Sequence, residues 1–387
     1  MRPLQDIRVL DLTRLLPGPF ASLVLADLGA SVDKIEDVSG GDYLRYMAPQ
    51  AGGESVVFQL LNRGKRSAVL DLKKPDAKAA FRELVRSYDV LFEQFRPGVL
   101  DRLGLGHEEL RRENPRLVIC ALTGYGQTGA LAQRAGHDLN YLARAGVLGA
   151  QGPVGAAPQV PATQLADISG GMWCVVAILG ALRERDRTGQ GCVIDIAMTD
   201  GILAFASTSI AAALAKEPVR RGDEPLTGGI AAYQTYLSKD GHPMTLAALE
   251  PKFWMAFCAG VGLETSMDGL VPGPHQADLK ARIATIFAGK TRAEWEAFNA
   301  ERDCCVEPAL DPSEIEGDPH LRSRGLFFTL DTPRGPVPQI RLPITPRDAT
   351  PTAPPKKGEH TRTILREAGL DDARIDALLK SGAAKDE

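Results

Sequence analysis

Between Ile7 and Thr123 the sequence repeatedly sets a short apolar, β-rich run beside a segment with helical spacing, and that alternation constrains the fold more than any other feature. Ile7–Leu12 reads as a strand, Pro17-Gly18-Pro19 as a turn, the residues through Leu28 as a helix closed by Gly29, and Ser31–Glu36 as the next strand. Strand, crossover and strand within about thirty residues make a βαβ unit, whose right-handed connection builds a parallel sheet. The pattern recurs, with Ser67–Leu72, Val90–Glu93 and Leu117–Thr123 as strands and Pro75–Arg86 and Glu108–Glu113 as helices. The expected fold class is therefore α/β with a doubly wound parallel sheet, and a site is sought in the loops leaving the carboxyl ends of its strands.

From Asp167 a long apolar helix ends in the charged stretch Arg183–Arg187, and a strand follows at Cys192–Ala197. The Ala-rich run Gly201–Ala215 reads as a buried helix, too short for a bilayer at about 20 residues per crossing. Charge, Pro and Gly then concentrate, so residues 216–225 read as a linker between a large domain over 1–215 and a smaller α+β domain over 226–325. Within the smaller domain, Tyr233–Leu237 and Met244–Ala248 flank Lys239-Asp240-Gly241 as a hairpin, and Thr291 with Glu294 has capping-box spacing. Residues 326–387 read as a segment returning to the large domain. It runs extended from Pro333 to Pro355 and closes with one helix over Arg362–Lys380.

Composition narrows the function classes. At 387 residues the chain holds two or three folding units, taking about 150 residues per domain. Its 45 Lys plus Arg against 49 Asp plus Glu are interspersed and leave a net charge of −4, a balance that sets up no field for a phosphate backbone, so nucleic acid is not an expected partner. A 44% hydrophobic share fills a sizeable core and excludes wholesale disorder. Cys120, Cys174, Cys192, Cys258, Cys304 and Cys305 are scattered apart from the last two, a spacing that suits neither a disulfide framework nor a zinc site. A reducing, cytoplasmic setting is expected, with no metal and no membrane partner, since the first residues lack a signal-peptide core.

No GxGxxG follows the first strand, and no Walker loop, HExxH or GxSxG elbow occurs, so the usual support for nicotinamide, nucleotide or serine-hydrolase chemistry is missing. A Gly-rich loop, Thr123 to Gly129, leads instead into Ala135-Gly136-His137-Asp138-Leu139-Asn140. Near a helix N-terminus the dipole favours neutral imidazole, which would make His137 a base; the same position suits His137 or Asp138 as a plain helix cap. Asp167 lies ahead of an apolar helix beside Gly170-Gly171. It can cap that helix, or apolar neighbours can raise its carboxyl toward values useful for proton transfer while the Gly pair admits a ligand. Glu250, after an apolar strand, reads as a cap or surface acid. The basic segments Asn62–Ser67 and Phe95–Gly98 suit either an anionic ligand or plain solvated charge.

Taken together, Pro17-Gly18-Pro19-Phe20, Leu25-Ala26-Asp27, Arg63-Gly64-Lys65-Arg66-Ser67, Leu70-Asp71-Leu72-Lys73, Phe95-Arg96-Pro97-Gly98-Val99, Asn114-Pro115-Arg116-Leu117, Gly136-His137-Asp138 and Gly358-Glu359-His360-Thr361 resemble the family III CoA-transferases over nearly the whole chain. Gly136 to Tyr141, the thirty-residue separation of His137 from Asp167, and Leu249-Glu250-Pro251-Lys252-Phe253 are similar to the α-methylacyl-CoA racemase branch of that superfamily. The resemblance implies His137 and Asp167 as an acid/base pair, Glu250 as support for the imidazole, and racemisation of 2-methylacyl-CoA thioesters through an enolate. It implies no cofactor beyond the CoA carried by the substrate.

The same resemblance implies an interlocked homodimer whose large domain is Rossmann-like. CoA contacts would fall on Val69, Leu70, Asp71 and Leu72, on Arg96, and on Ala135, Gly136, His137, Asp138, Leu139 and Asn140. Two departures stand out: Asp37 occupies the place where the racemases commonly carry an Arg for the nucleotide, and the segment from Gly40 to Phe58 has the longer, transferase-like form. The alternative activity is CoA transfer with Asp167 as nucleophile, and a non-catalytic CoA-binding protein is the alternative of a different class. Enolate charge would be met by amides around Asp167 to Gly171, at about 3 to 4 kcal/mol per donor.

Overall fold

The computed structural model describes residues 2–332, 335–348 and 350–387; Met1, Arg334, Ala349 and Pro333, where the expected extended stretch begins, lie outside the described residues. The chain separates into two compact units: one holds the residues up to Leu142 with Thr163–Ala204 and His320–Glu387, the other Ala143–Ala162 with Phe205–Pro319.

The first unit is built on β1 (Arg8–Asp11), β2 (Ser31–Glu36), β3 (Lys65–Leu70), β4 (Val90–Glu93), β5 (Val118–Thr123) and β6 (Val193–Ala197). They lie in the order β3-β2-β1-β4-β5-β6, every neighbouring pair parallel. The sequence order runs outward from β1 in both directions, so the chain reverses between β1 and β4 and leaves a crevice at their carboxyl ends. All positions of β4 and β5 are buried. Coverage on both faces accounts for their apolar runs Val90–Phe92 and Val118–Leu122.

Connecting helices supply that coverage. Helix α1 (Pro17–Asp27) opens with Pro at its first position, where the missing N–H costs nothing. Helix α2 (Pro75–Arg86) turns Ala77, Ala80, Phe81, Leu84 and Val85 inward, spaced three and four apart as one buried stripe. Helix α3 (His107–Glu113) precedes β5, and α4 (Asp138–Arg144) and α5 (Leu165–Thr188) follow it. By length and composition α5 is apolar enough to cross a bilayer. Here its Cys174, Val175, Ile178 and Leu182 are buried. A Cβ on Gly170 would come within 2.6 Å of Met198 Cγ, and one on Gly171 within 2.6 Å of the Pro17 carbonyl. The Gly pair therefore lets α5 close on its neighbours, and the expected role in admitting a ligand is withdrawn.

Three local expectations also change. Gly201–Ala215 is not one buried helix: it divides into the end of α6 (Met198–Phe205) and α7 (Ser207–Leu214), and no residue of α7 is buried. An Ala-rich run carries little periodic signal to separate a buried face from an exposed one. The closing helix is likewise two, α11 (Thr361–Glu367) and α12 (Asp372–Lys380), parted at Gly369, whose φ of +94° ends the first as a left-handed glycine does. The Pro-rich segment forms a hairpin, Phe327–Thr332 against Gly335–Ile340, in which Pro336 and Pro338 sit in a two-stranded ribbon with no central ladder to interrupt. Beyond α12, Ala384–Lys385 pairs antiparallel with the outer edge of β3.

In the second unit, β7 (Tyr233–Leu237), β8 (Pro243–Ala247) and β9 (Val306–Pro308) make an antiparallel sheet, β7 and β8 joined through the expected Lys239-Asp240-Gly241 turn. Helices α8 (Pro251–Val261), α9 (Gln276–Phe287) and α10 (Arg292–Arg302) bring Trp254, Phe257, Phe287 and Trp295 into its core. The Thr291/Glu294 capping box opens α10.

Candidate active site

A cavity of about 780 Å³ opens at the carboxyl ends of the strands on both sides of the reversal. Its lining comes from the loop after β1 (Arg14, Leu15, Pro17), the loop after β4 (Gln94 to Pro97, and Val99), the loop after β5 (Thr123 to Tyr125), and the turn into α4 with Asp167 of α5. His137 and Asp167 thus share one cavity with Arg96, Ala135, Gly136 and Asn140.

Local chemistry explains how the two groups are presented. The His137 amide donates to Asn140 Oδ1 at 3.0 Å, and the His137 carbonyl accepts from the Asn140 amide at 2.8 Å, so the turn closes on itself and leaves the imidazole exposed. Tyr141 Oη donates to the Gly136 carbonyl at 2.5 Å and ties the same turn to α4. Its ring fits because residue 136 has no side chain: a Cβ there would stand 2.8 Å from Tyr141 Cε1.

Asp138, not His137 or Asp167, is the helix cap in this arrangement, and the helix it caps is α5. Its buried Oδ1 accepts from the Ala166 amide at 2.7 Å and the Asp167 amide at 3.0 Å. Asp167 is in the first turn of α5 but makes no side-chain cap. Its half-buried carboxyl has no hydrogen bond among the described residues. Burial, reinforced by the Asp138 carboxylate, pushes it up to about 7. Burial and the Asp167 charge push the Tyr141 hydroxyl up to about 12.

Other expected residues lie elsewhere. Glu250 is exposed at the N-terminal boundary of α8, in the second unit, where its carbonyl accepts from Phe253 and Trp254 and its side chain makes no cap. Val69 and Leu70 are buried in β3, and neither they nor Asp71 and Leu72 line the cavity. Asp138 is buried and Leu139 exposed, both just outside the lining. The amides from Asp167 to Gly171 are not free to meet an oxyanion: Asp167 donates to Asp138, Ile168 to the Gln164 carbonyl, and the rest lie within the helix. Asp37 closes a turn, its Oδ1 accepting from the Ser39 amide at 2.8 Å.

The basic segment Asn62–Ser67 is neither a ligand site nor plain solvated charge. Arg63 is buried against Asp27 at 2.6 Å, and Arg66 is paired with Asp33 at 2.6 Å. Lys65 is buried, 3.0 Å from both the Pro19 carbonyl and Asn62 Oδ1, and its ammonium is brought down to about 7 by burial. Arg96, in the other basic segment, does face the cavity, together with Arg14 and Arg134, which sequence reasoning did not single out.

A family model described as CoA-transferase family III matches residues 4–361. The chain is 38% identical to the α-methylacyl-CoA racemase of Homo sapiens, over 99% of each chain. It is 36% identical to the acetyl-CoA:oxalate CoA-transferase of Acetobacter aceti, over 84% of this chain and 85% of that one. Among solved structures it is similar to a CAIB/BAIF family protein from Brucella suis, at a TM-score of 0.82 and 32% identity over 95% of this chain and 99% of the other. With a match across nearly its whole length and relatives this similar in sequence and fold, the chain belongs to CoA-transferase family III.

Proposed function

We propose that the protein racemises 2-methylacyl-CoA thioesters by 1,1-proton transfer. The observation that carries this reading is that His137 and Asp167 line one cavity at the carboxyl ends of the parallel strands. In one direction a carboxylate at 167 takes the α-proton, the C–H electron pair passes into an enolate, and imidazolium at 137 returns a proton to the opposite face. In the other direction the roles exchange. No electron is lost or gained, so the step as written calls on no redox group. The pair must hold one proton between them for either direction, and burial that pushes the Asp167 carboxyl up to about 7 lets it act as acid or as base close to neutral pH.

The enolate oxygen needs donors other than those at the start of α5. The Asp138 and Leu139 amides, in the first turn of α4, find no acceptor among the described residues and suit that task. Arg14, Arg96 and Arg134 supply cations for a polyanionic CoA. The reading includes a homodimer, supported by α7, none of whose residues is buried and whose Leu214 is exposed. In it, Glu250 of the partner subunit would orient His137. A sedimentation measurement that returned only the monomer mass would remove this element.

The direct experiment incubates the protein with one epimer of a 2-methylacyl-CoA in D2O without any acceptor acid. Deuterium should enter the α position as the two epimers equilibrate. The second reading, CoA transfer with Asp167 as nucleophile, draws on the similarity to the Acetobacter aceti transferase. There the carboxylate displaces CoA to give an acyl anhydride, and the released thiolate attacks the aspartyl carbonyl to give a thioester. No exchange, together with CoA movement once a free carboxylic acid is added, selects that reading.

A further inference from the structure

We propose that Asp138 is the positioning residue of the acid/base pair, coupling His137 to Asp167 by fixing the start of α5 and setting the charge beside the Asp167 carboxyl. This inference rests on the racemase reading for its kinetic arm alone. Asp138 follows His137 directly in the chain, and its Oδ1 accepts from the amides of both Ala166 and Asp167, at 2.7 and 3.0 Å. One buried carboxylate therefore joins the turn that presents the imidazole to the helical turn that presents the acid. Residues 138 and 167 are remote in sequence, and among the described residues this clamp supplies the hydrogen bonds that hold the two turns in a fixed relation.

A helix start can be capped by any Ser, Thr, Asn or Asp, and a neutral cap would stabilise it nearly as well. A charged cap next to a second carboxylate is a costlier choice, because like charges in a poorly solvated site disfavour one another. That cost falls on the ionised form of Asp167, and it acts in the same direction as burial. The cap therefore has an electrostatic consequence at the reacting group beyond its hydrogen bonds.

The other groups facing this region do not supply the same effect. Arg14, Arg96 and Arg134 line the cavity as cations, which favour the ionised carboxylate, while Tyr125 and Tyr141 are neutral and His137 is the partner. The elements packed against α5 bring Asp27 of α1, paired with Arg63; Asp195 of β6, whose carboxylate accepts from the Gln127 amide; and Cys120 of β5, a free thiol hydrogen-bonded to the free thiol of Cys174. Of the carboxylates, Asp138 is the one joined to the backbone of Asp167 itself.

Two variants separate clamp from charge. Asp138→Asn keeps an oxygen acceptor for both amides and removes the charge. Asp138→Ala removes both. The bell-shaped pH dependence of kcat/KM, which has the same shape in both directions because both use the singly protonated pair, should move to lower pH in Asp138→Asn by about half to one unit, with kcat at the new optimum within a few-fold of the parent. Asp138→Ala should lose at least tenfold in kcat with KM little changed. In parallel, a carbon-13 NMR titration of labelled aspartate carboxyls, with Asp167→Asn to assign the resonance, should show the Asp167 carboxyl titrating at lower pH in Asp138→Asn. An unmoved titration in Asp138→Asn, or an Asp138→Asn variant as damaged as Asp138→Ala with the parent pH profile, overturns the proposal. If the parent protein exchanges no α-proton, the racemase reading fails and the titration still decides the role of Asp138.

Discussion

His137→Ala should lower α-deuterium incorporation from D2O by about a thousandfold while the protein keeps its thermal stability. The magnitude is that of losing a positioned general acid/base, which contributes about a hundred- to ten-thousandfold. Stability should hold because the imidazole is exposed and the turn is secured by backbone atoms, Asn140 and Tyr141. The variant also discriminates between the two activities. A transferase working through an Asp167 nucleophile would keep much of its CoA transfer, whereas a racemase retains no second acid/base group on that face of the enolate. Exchange at the parent rate in His137→Ala sinks the proton-transfer role of His137.

Asp167→Asn should abolish exchange at the thousandfold level or more, and it should also raise the melting temperature at pH 8. The sign follows from the raised carboxyl. The folded chain holds this proton up to about 7, whereas an unfolded Asp releases it near 3.8. The contribution to stability is fully present below about pH 4 and is lost as pH rises through about 7. Above that, the native protein carries a partly desolvated charge that an amide does not. Allowing for partial exposure, the gain is on the order of 2 kcal/mol at pH 8 and smaller at pH 5. Scanning fluorimetry of both proteins at the two pH values measures it. A lower melting temperature for the variant at pH 8 would mean that the carboxylate is favourably engaged rather than strained, and the account of its pKa would fall with that result.

Features that repeat at short range were the legible ones. Ser31–Glu36, Pro75–Arg86 and Val90–Glu93 lie where their periodicity and turn residues put them, and Thr291 with Glu294 caps its helix as the spacing requires. What local pattern does not encode was misread. The exposure of α7 depends on what covers an Ala-rich surface, and the role of Gly170-Gly171 depends on Met198 and Pro17, which approach only in the folded sheet. In the site, the meeting of His137 and Asp167 was legible through resemblance, because no local signal brings residues thirty apart together. The role of Asp138 was legible only in part: its type and position spoke for a helix cap, but the capped helix is the one that begins at Leu165.

The short strand Ala384–Lys385 carries a consequence for how this protein is made. Its pairing with β3 completes the outer edge of a sheet whose innermost strand, β1, is at residues 8–11. During synthesis the β3 edge therefore stays open until the C-terminal segment is made, first His360 and Thr361, which bond Ser67 and Val69, and then Ala384–Lys385, while the separate core of residues 205–319 has already left the ribosome. The smaller unit can close first, and the nascent large unit carries an unpaired parallel edge throughout, the condition in which a growing chain most needs a chaperone.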